Sequence, residues 1–287
     1  MQPVTWTIGD AQISQVTEAH ADVVLRDLMG DATPQKLQQY STLHPHFVDA
    51  DGNMKGWFQS FLVTVGGKHI LIEAGIGNGR QRPGFPGMHN LQTDFLQRLA
   101  ATGIGTDQVD YVISSHLHID HVGWFTVPVG DRWVPTFPNA RYLIVRAAYD
   151  LWKDRQTHPD QMRTIAECVV PVVEAGVVDF VEVDYRLNKH VRLRPAPGHT
   201  PHHVAIEIES DGERAIFTGD VFPHPVVIME PELAFGSDFA PEQAVKTRRK
   251  LLTELADTDT VIFSPHFADP VAVRIVTAAN GHGFVLA

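Results

Sequence analysis

A chain of 287 residues with 44% hydrophobic side chains has enough apolar material for a sizeable core. Its 23 Lys and Arg against 34 Asp and Glu leave a formal charge of −11, which argues against a nucleic-acid partner because phosphate binding needs clustered cations. The single cysteine, Cys168, excludes an intrachain disulfide, and no apolar run is long enough to span a bilayer. The N-terminus has no basic region followed by a long apolar stretch, so no signal peptide and a cytoplasmic location are expected.

Strand-like runs come first, at "VTWTIG" and "AQISQVTEA". "FQSFLVTVGGKHILIEAG" is two apolar runs around Gly66-Gly67, a strong hairpin signal. Residues 91–102 carry Leu91, Phe95, Leu96 and Leu99 at helical spacing, with Gly103 to end the helix. "VDYVISS" predicts a short buried strand. The order then repeats, with a strand at "ARYLIV", a helix at "RAAYDLW" and a longer helix over 160–176 disturbed at Pro171. Further strands are predicted at 177–183, 191–195, 203–209 and 214–218, the last two joined at Asp211-Gly212. A helix starting at Pro241 and a buried strand at "TVIFS" follow. No linker or repeat divides the chain, so 1–287 reads as one domain of two packed sheets with helices outside. The segments 40–58 and 75–90 are too irregular for core and are candidate functional loops.

The predicted strand at "VDYVISS" runs into "HLHIDH", residues 116–121. His116 and His118 would share a face if the backbone stays extended. Asp120 and His121 follow where Gly123 suggests a turn, so one ion could not easily use all four groups, whereas two ions could. Three more candidates stand at strand ends: His199 in "PAPGHTPHH", Asp220 in "AIFTGD" and His266 in "VIFSPHF". They group as His116, His118 and His199 for one ion, Asp120, His121 and His266 for the other, and Asp220 as a bridge. Imidazole and carboxylate suit zinc, though Fe, Mn or Co would accept them. No thiolate is available for a closed structural site. Two divalent ions about 3.5–4 Å apart would share a water and make it hydroxide near neutral pH.

These four motifs, in this order, resemble the metallo-β-lactamase fold superfamily over roughly residues 60–270. The resemblance implies an α/β fold, the αββα four-layer sandwich, with a dinuclear metal site at the sheet edge. The surroundings "HVGW", "VPTFPNARYL" and "TRRKLL" resemble the soluble hydrolases that include bacterial lactonases and methyl-parathion-type hydrolases. The implied activity is metal-dependent hydrolysis, a bridging hydroxide attacking a lactone or carboxylic ester, with two Zn2+ as the expected cofactors and Asp120 carrying the proton. The alternatives are a phosphotriester or other activated xenobiotic, or a mononuclear iron persulfide dioxygenase using the His116, His118, His199 and Asp220 face. The implied partner is a small-molecule substrate, and a homodimer is compatible with the sequence.

The sequence departs from the family pattern in places. The usual "DTG" is "EAG", placing Glu73 where an aspartate supports the site, and "PGHTPGH" reads "PGHTPHH" at His202. Lactonases of this fold carry a tyrosine three residues after the bridging aspartate, and here that position is Pro223, which has no donor. His224, one residue on, is therefore expected to face the pocket and orient the substrate. Trp57, Phe85, Trp124, Phe222 and Phe267 are candidates for an aromatic wall. His44, His46 and His89 could line the pocket, whereas His20, His69, His158, His190 and His282 read as solvated. His203 reads as the start of a strand, and Cys168 as a buried structural thiol.

Overall fold

The computed structural model describes residues 3–279 and 281–287. In chain order the strands are β1 (Thr5–Ile8), β2 (Ala11–His20), β3 (Trp57–Val65), β4 (Lys68–Ile72), β5 (Tyr111–Ile113), β6 (Thr126–Val129), β7 (Arg132–Pro135), β8 (Arg141–Val145), β9 (Val178–Val181), β10 (Val191–Pro195), β11 (Val204–Ser210), β12 (Glu213–Phe217), β13 (Val261–Phe263), β14 (Ala272–Ala278) and β15 (Gly281–Leu286). A seven-stranded sheet runs β1-β2-β3-β4-β5-β8-β9 and a six-stranded sheet runs β10 to β15 in sequence order. β6 and β7 form a separate hairpin.

The two sheets pack face to face through aromatic side chains. The ring of Phe61 on β3 lies 5.1 Å from that of Phe217 on β12 and 5.4 Å from that of Phe263 on β13. Helices form the outer layers: Phe95–Ala100 packs on β2 and Arg146–Trp152 on β8. Pro241–Leu255 packs on β14, burying Ala244, Thr247, Arg248, Leu251, Leu252 and Leu255, which recur at three- and four-residue spacing. This is the αββα sandwich expected from the sequence. Both predicted two-residue turns have the left-handed backbone that such hairpins need: Gly66 and Gly67 at φ 57° and 71°, Asp211 and Gly212 at φ 49° and 81°.

The parallel pairings set the location of the site. β4, β5, β8 and β9 run parallel in one sheet, and β12 and β13 in the other. Their carboxyl ends therefore open at one edge of each sheet, where side chains on the following loops can meet.

Two expectations need correction, and some elements were not foreseen. The helix predicted over 91–102 is formed only over Phe95–Ala100. The residues before it are held as a loop by Asn78, whose Oδ1 accepts from the Thr93 N–H at 2.8 Å. The helix over 160–176 is three pieces: α-helical Pro159–Thr164, π-helical Ile165–Val169 and α-helical Val170–Glu174. Pro171 lacks the N–H that would bond the Glu167 carbonyl, and the Thr126 hydroxyl donates to that carbonyl instead at 2.7 Å. The helix Asp22–Leu28, the β6–β7 hairpin, and β14 with β15 were not anticipated.

Candidate active site

The edge where the two sheets meet gathers the seven sequence-predicted ligands. His116, His118, Asp120 and His121 lie on the loop after β5, closed by the His121 N–H donating to the His118 carbonyl at 3.1 Å. Asp220 follows β12 and His266 follows β13. The parallel pairing of these strands continues past their ends, where the Thr218 N–H donates to the Phe263 carbonyl at 2.9 Å. His199 lies on the loop between β10 and β11.

The side chains converge as two triads. Nδ1 or Nε2 atoms of His116, His118 and His199 lie within 4.8 Å of one another, as do donor atoms of Asp120, His121 and His266. His199 Nε2 is 2.9 Å from His118 Nδ1 and 3.1 Å from His116 Nε2. Asp220 stands between the triads, with Oδ2 3.2 Å from His199 Nε2 and Oδ1 3.0 Å from His266 Nε2 and 3.3 Å from His121 Nε2.

The donor set fits divalent ions. Three imidazole nitrogens at hydrogen-bond distance cannot all be satisfied by one another's protons, and a cation accepts all three lone pairs. Buried atoms without a hydrogen-bond partner include Nε2 of His121 and Oδ1 of Asp220, both on the side where the triads converge, an arrangement that an ion would satisfy. Burial and the neighbouring histidines hold His116 and His118 well below the usual imidazole range, in the neutral form that binds metal.

The outward ring nitrogens are held by the protein. His199 Nδ1 donates to Asp238 at 3.0 Å, and His266 Nδ1 to the Trp57 carbonyl at 3.1 Å. His116 Nδ1 meets the Ser115 hydroxyl at 3.0 Å. His121 Nδ1 lies 3.1 Å from the carboxylate of Glu73, the residue that replaces the usual aspartate; Ser114 and the Ser115 N–H hold that carboxylate. Glu73 itself has a left-handed backbone at φ 60°. Behind Asp238 stands Arg248, which is buried and donates to the carbonyls of Val221, Pro231 and Leu233. Its Nη2 is 3.8 Å from Asp238 Oδ2. The helix Pro241–Leu255 thus braces both the Asp220 loop and the loop carrying Asp238.

Residues 59–266 match the metallo-beta-lactamase superfamily profile. The chain belongs to that superfamily. It is 27% identical to the N-acyl homoserine lactonase AiiA of Bacillus thuringiensis subsp. kurstaki over 168 residues, 58% of this chain and 60% of that protein. The matched part thus falls short of two thirds of the lactonase's length. Among solved structures, the chain superposes on AidC, a dizinc quorum-quenching lactonase, with TM-score 0.80 at 21% identity, covering 100% of this chain and 97% of that one. It superposes on the hydrolase AbOPH with TM-score 0.82 at 23% identity, covering 100% and 98%. At these identities the superpositions establish the fold, and the site must be read from this chain's own residues.

As is common in α/β folds, a concave pocket lies at the strand ends. Here it is a cavity of about 380 Å³ whose floor includes His118, Asp120, Asp220 and His266. Of the aromatic residues named from sequence, only Phe85 lines it. Trp57 packs against His20 at 4.2 Å, and Trp124 stacks on Phe95 and donates to Glu18. Phe222 and Phe267 are fully buried core. The aromatic lining comes instead from Phe58, Trp152, Phe235 and Phe239.

The expectation for His224 is corrected. Its ring is fully buried away from the cavity, with Nε2 donating to the Phe47 carbonyl at 2.9 Å and Nδ1 accepting from the Val226 N–H at 3.2 Å. Both ring nitrogens are engaged with backbone, so no donor remains for a substrate. His202, His44, His46 and His89 do not line the cavity either. His158, read as solvated, does. His203 is a buried support whose Nε2 accepts from the Asp220 N–H at 3.2 Å, and burial pushes it down to about 3. Its position one strand residue from Val204 gave no sign of this. Gln161 also went unnoticed: it lines the cavity and its side-chain amide donates to the Leu117 carbonyl inside "HLHIDH" at 2.7 Å.

Proposed function

We propose that this chain is a metal-dependent hydrolase that cleaves a lactone or carboxylic ester. Two divalent ions, zinc by the donor chemistry, would be held by His116, His118 and His199 on one side and by Asp120, His121 and His266 on the other, with Asp220 shared. The observation that carries the reading is the carboxylate of Asp220, which aims one oxygen at each triad on the floor of the cavity. Bound there, the ions supply an activated water and polarise the carbonyl oxygen of the substrate.

The chain's own residues do the rest. The apolar walls hold the body of the substrate and exclude bulk water, which strengthens every charge interaction on the floor. Asp120 lines the cavity beside His266, 3.5 Å from its Nε2, and is placed to move a proton. In the reaction the water oxygen bonds to the acyl carbon and the bond from that carbon to the alcohol oxygen breaks. Asp120 takes a proton from the water and returns it to the departing oxygen. The lactonase likeness over part of the chain supports an ester-like substrate.

The test is elemental analysis of purified protein, followed by a screen of lactones, aryl esters, thioesters and phosphotriesters. Two ions per chain with turnover of lactones or esters is the expected result. One iron per chain, or turnover confined to phosphotriesters, would overturn the reading.

A further inference from the structure

The cavity has two unlike walls. The helix Asp22–Leu28 and the segment near Phe235 supply Val24, Leu25, Leu28 and Phe235. The chain after the helix Arg146–Trp152 supplies Arg155, Thr157, His158 and Gln161. The second wall is polar and opens to solvent, with Arg155 and His158 exposed, so the cavity suits a molecule whose polar end meets that wall.

Arg155 is the lining residue that stands out. Among the described residues it is the one Lys or Arg in the cavity wall, in a chain whose formal charge is −11. Its guanidinium lies over the rings of Phe239 at 4.6 Å and Trp152 at 5.7 Å. Contact with two aromatic faces holds the guanidinium at the cavity wall while its N–H groups remain available to an acceptor. Among the described residues no carboxylate or carbonyl accepts from that side chain. Every other charged group in the lining belongs to the floor, where Asp120 and Asp220 face the triads.

We propose that Arg155 is a specificity-determining residue that receives a carboxylate on the substrate, so that the preferred substrates are esters or lactones whose apolar body carries a carboxylate remote from the bond that is cut. This rests on the hydrolase reading above. The reacting carbonyl lies at the floor, the apolar body runs along Leu25, Leu28 and Phe235, and the carboxylate meets the Arg155 fork as a charge-assisted, bidentate pair. Hydrogen bonds from Thr157 or His158 can add to that pair.

The experiment uses two esters of equal length, para-nitrophenyl octanoate and the mono-para-nitrophenyl ester of suberic acid, on wild type and Arg155→Gln. Wild type should favour the suberate ester in kcat/KM, and the substitution should lower that preference by about tenfold, with the loss in KM rather than kcat. An unchanged preference in Arg155→Gln would overturn the proposal, as would a wild type that favours octanoate. A second measurement needs no turnover: binding of dansyl-labelled undecanoic acid against its primary amide to the protein as purified, read by fluorescence. The acid should bind more tightly than the amide, and Arg155→Gln should remove the difference. If the acid loses nothing in Arg155→Gln, its carboxylate is held elsewhere and the proposal fails. If neither these esters nor the lactones, thioesters and phosphotriesters of the screen above are cleaved, but the binding difference appears and depends on Arg155, the hydrolase reading fails and the carboxylate site stands.

Discussion

Replacing Glu73 with Gln tests whether His121 belongs to a metal site. The change keeps the side chain's shape and the left-handed backbone at φ 60°, and swaps one carboxylate oxygen for an amide NH2. In the wild type Oε2 is 3.1 Å from His121 Nδ1 and 3.0 Å from the Ser114 hydroxyl, and both oxygens are 3.3 Å from the Ser115 N–H. Glu73 is 1% exposed, so water cannot replace what is lost. A hydrogen bond to a charged group contributes about 1.5–3 kcal/mol, and the new NH2 must face a donor somewhere in this set. At about 1.4 kcal/mol per decade this is a loss of about 10–100-fold in affinity, the range found when groups behind metal ligands are removed. The assay is zinc titration against a chelating dye, with circular dichroism to confirm that the fold is kept. One of the two zinc affinities, that of the ion His121 would hold, should fall by that factor. A folded variant that binds two ions with wild-type affinity would refute the assignment of His121 and the supporting role of Glu73 together.

Other substitutions probe separate parts of the argument. Asp120→Asn should abolish most turnover by steady-state assay; near wild-type rates with both ions bound would exclude it as the proton carrier. His224→Ala should leave metal content intact while lowering stability in urea by about 2–4 kcal/mol, because the Phe47 carbonyl and Val226 N–H both lose a buried partner. Phe61→Ala, which empties the centre of the inter-sheet core, should lower unfolding free energy by about 3–5 kcal/mol. Glu18 is buried beneath the loop 75–77, and burial pushes its carboxyl up to about 7, against the lowering effect of N–H donors from Ile76, Trp124 and Gly77. Its folded pKa lies above the unfolded one, so wild type should lose stability relative to Glu18→Gln as pH rises from about 4.5 to 7, by about 3 kcal/mol at full ionisation. Parallel denaturation curves at every pH would contradict this.

The metal motifs were legible because their chemistry is carried by residue type and by position at strand ends, both of which sequence displays. Direction was not. Phe222, Pro223 and His224 follow Asp220 closely, but the chain turns there into the short helix Val226–Met229 and carries the His224 ring onto Phe47. The supporting groups His203, Asp238 and Gln161 reach the site only in the fold, at the Asp220 N–H, His199 Nδ1 and the Leu117 carbonyl. The helix Asp22–Leu28 was hidden because its form depends on tertiary contact: Asp22 Oδ1 accepts from the Gly56 N–H at 2.8 Å, just before the neighbouring strand β3. The strands β14 and β15 were readable in principle, since Asn280-Gly281 is a strong hairpin dipeptide between alternating apolar runs.

The helix that carries Arg248 has a consequence for how a mutational map of this protein would look. Arg248 lies outside the cavity lining, yet one side chain fastens three carbonyls and faces the carboxylate that orients His199. Replacing it releases the Asp220 loop and the wall near Phe235 in the same event, so its loss is not divisible into a stability effect and an activity effect. A selection for new substrates would discard variants at Arg248 as readily as variants at the floor, while leaving Val24 or Leu28 free to change. The apolar wall of the site is therefore divided, open to change along the helix Asp22–Leu28 and closed at the segment near Phe235 that Arg248 fastens.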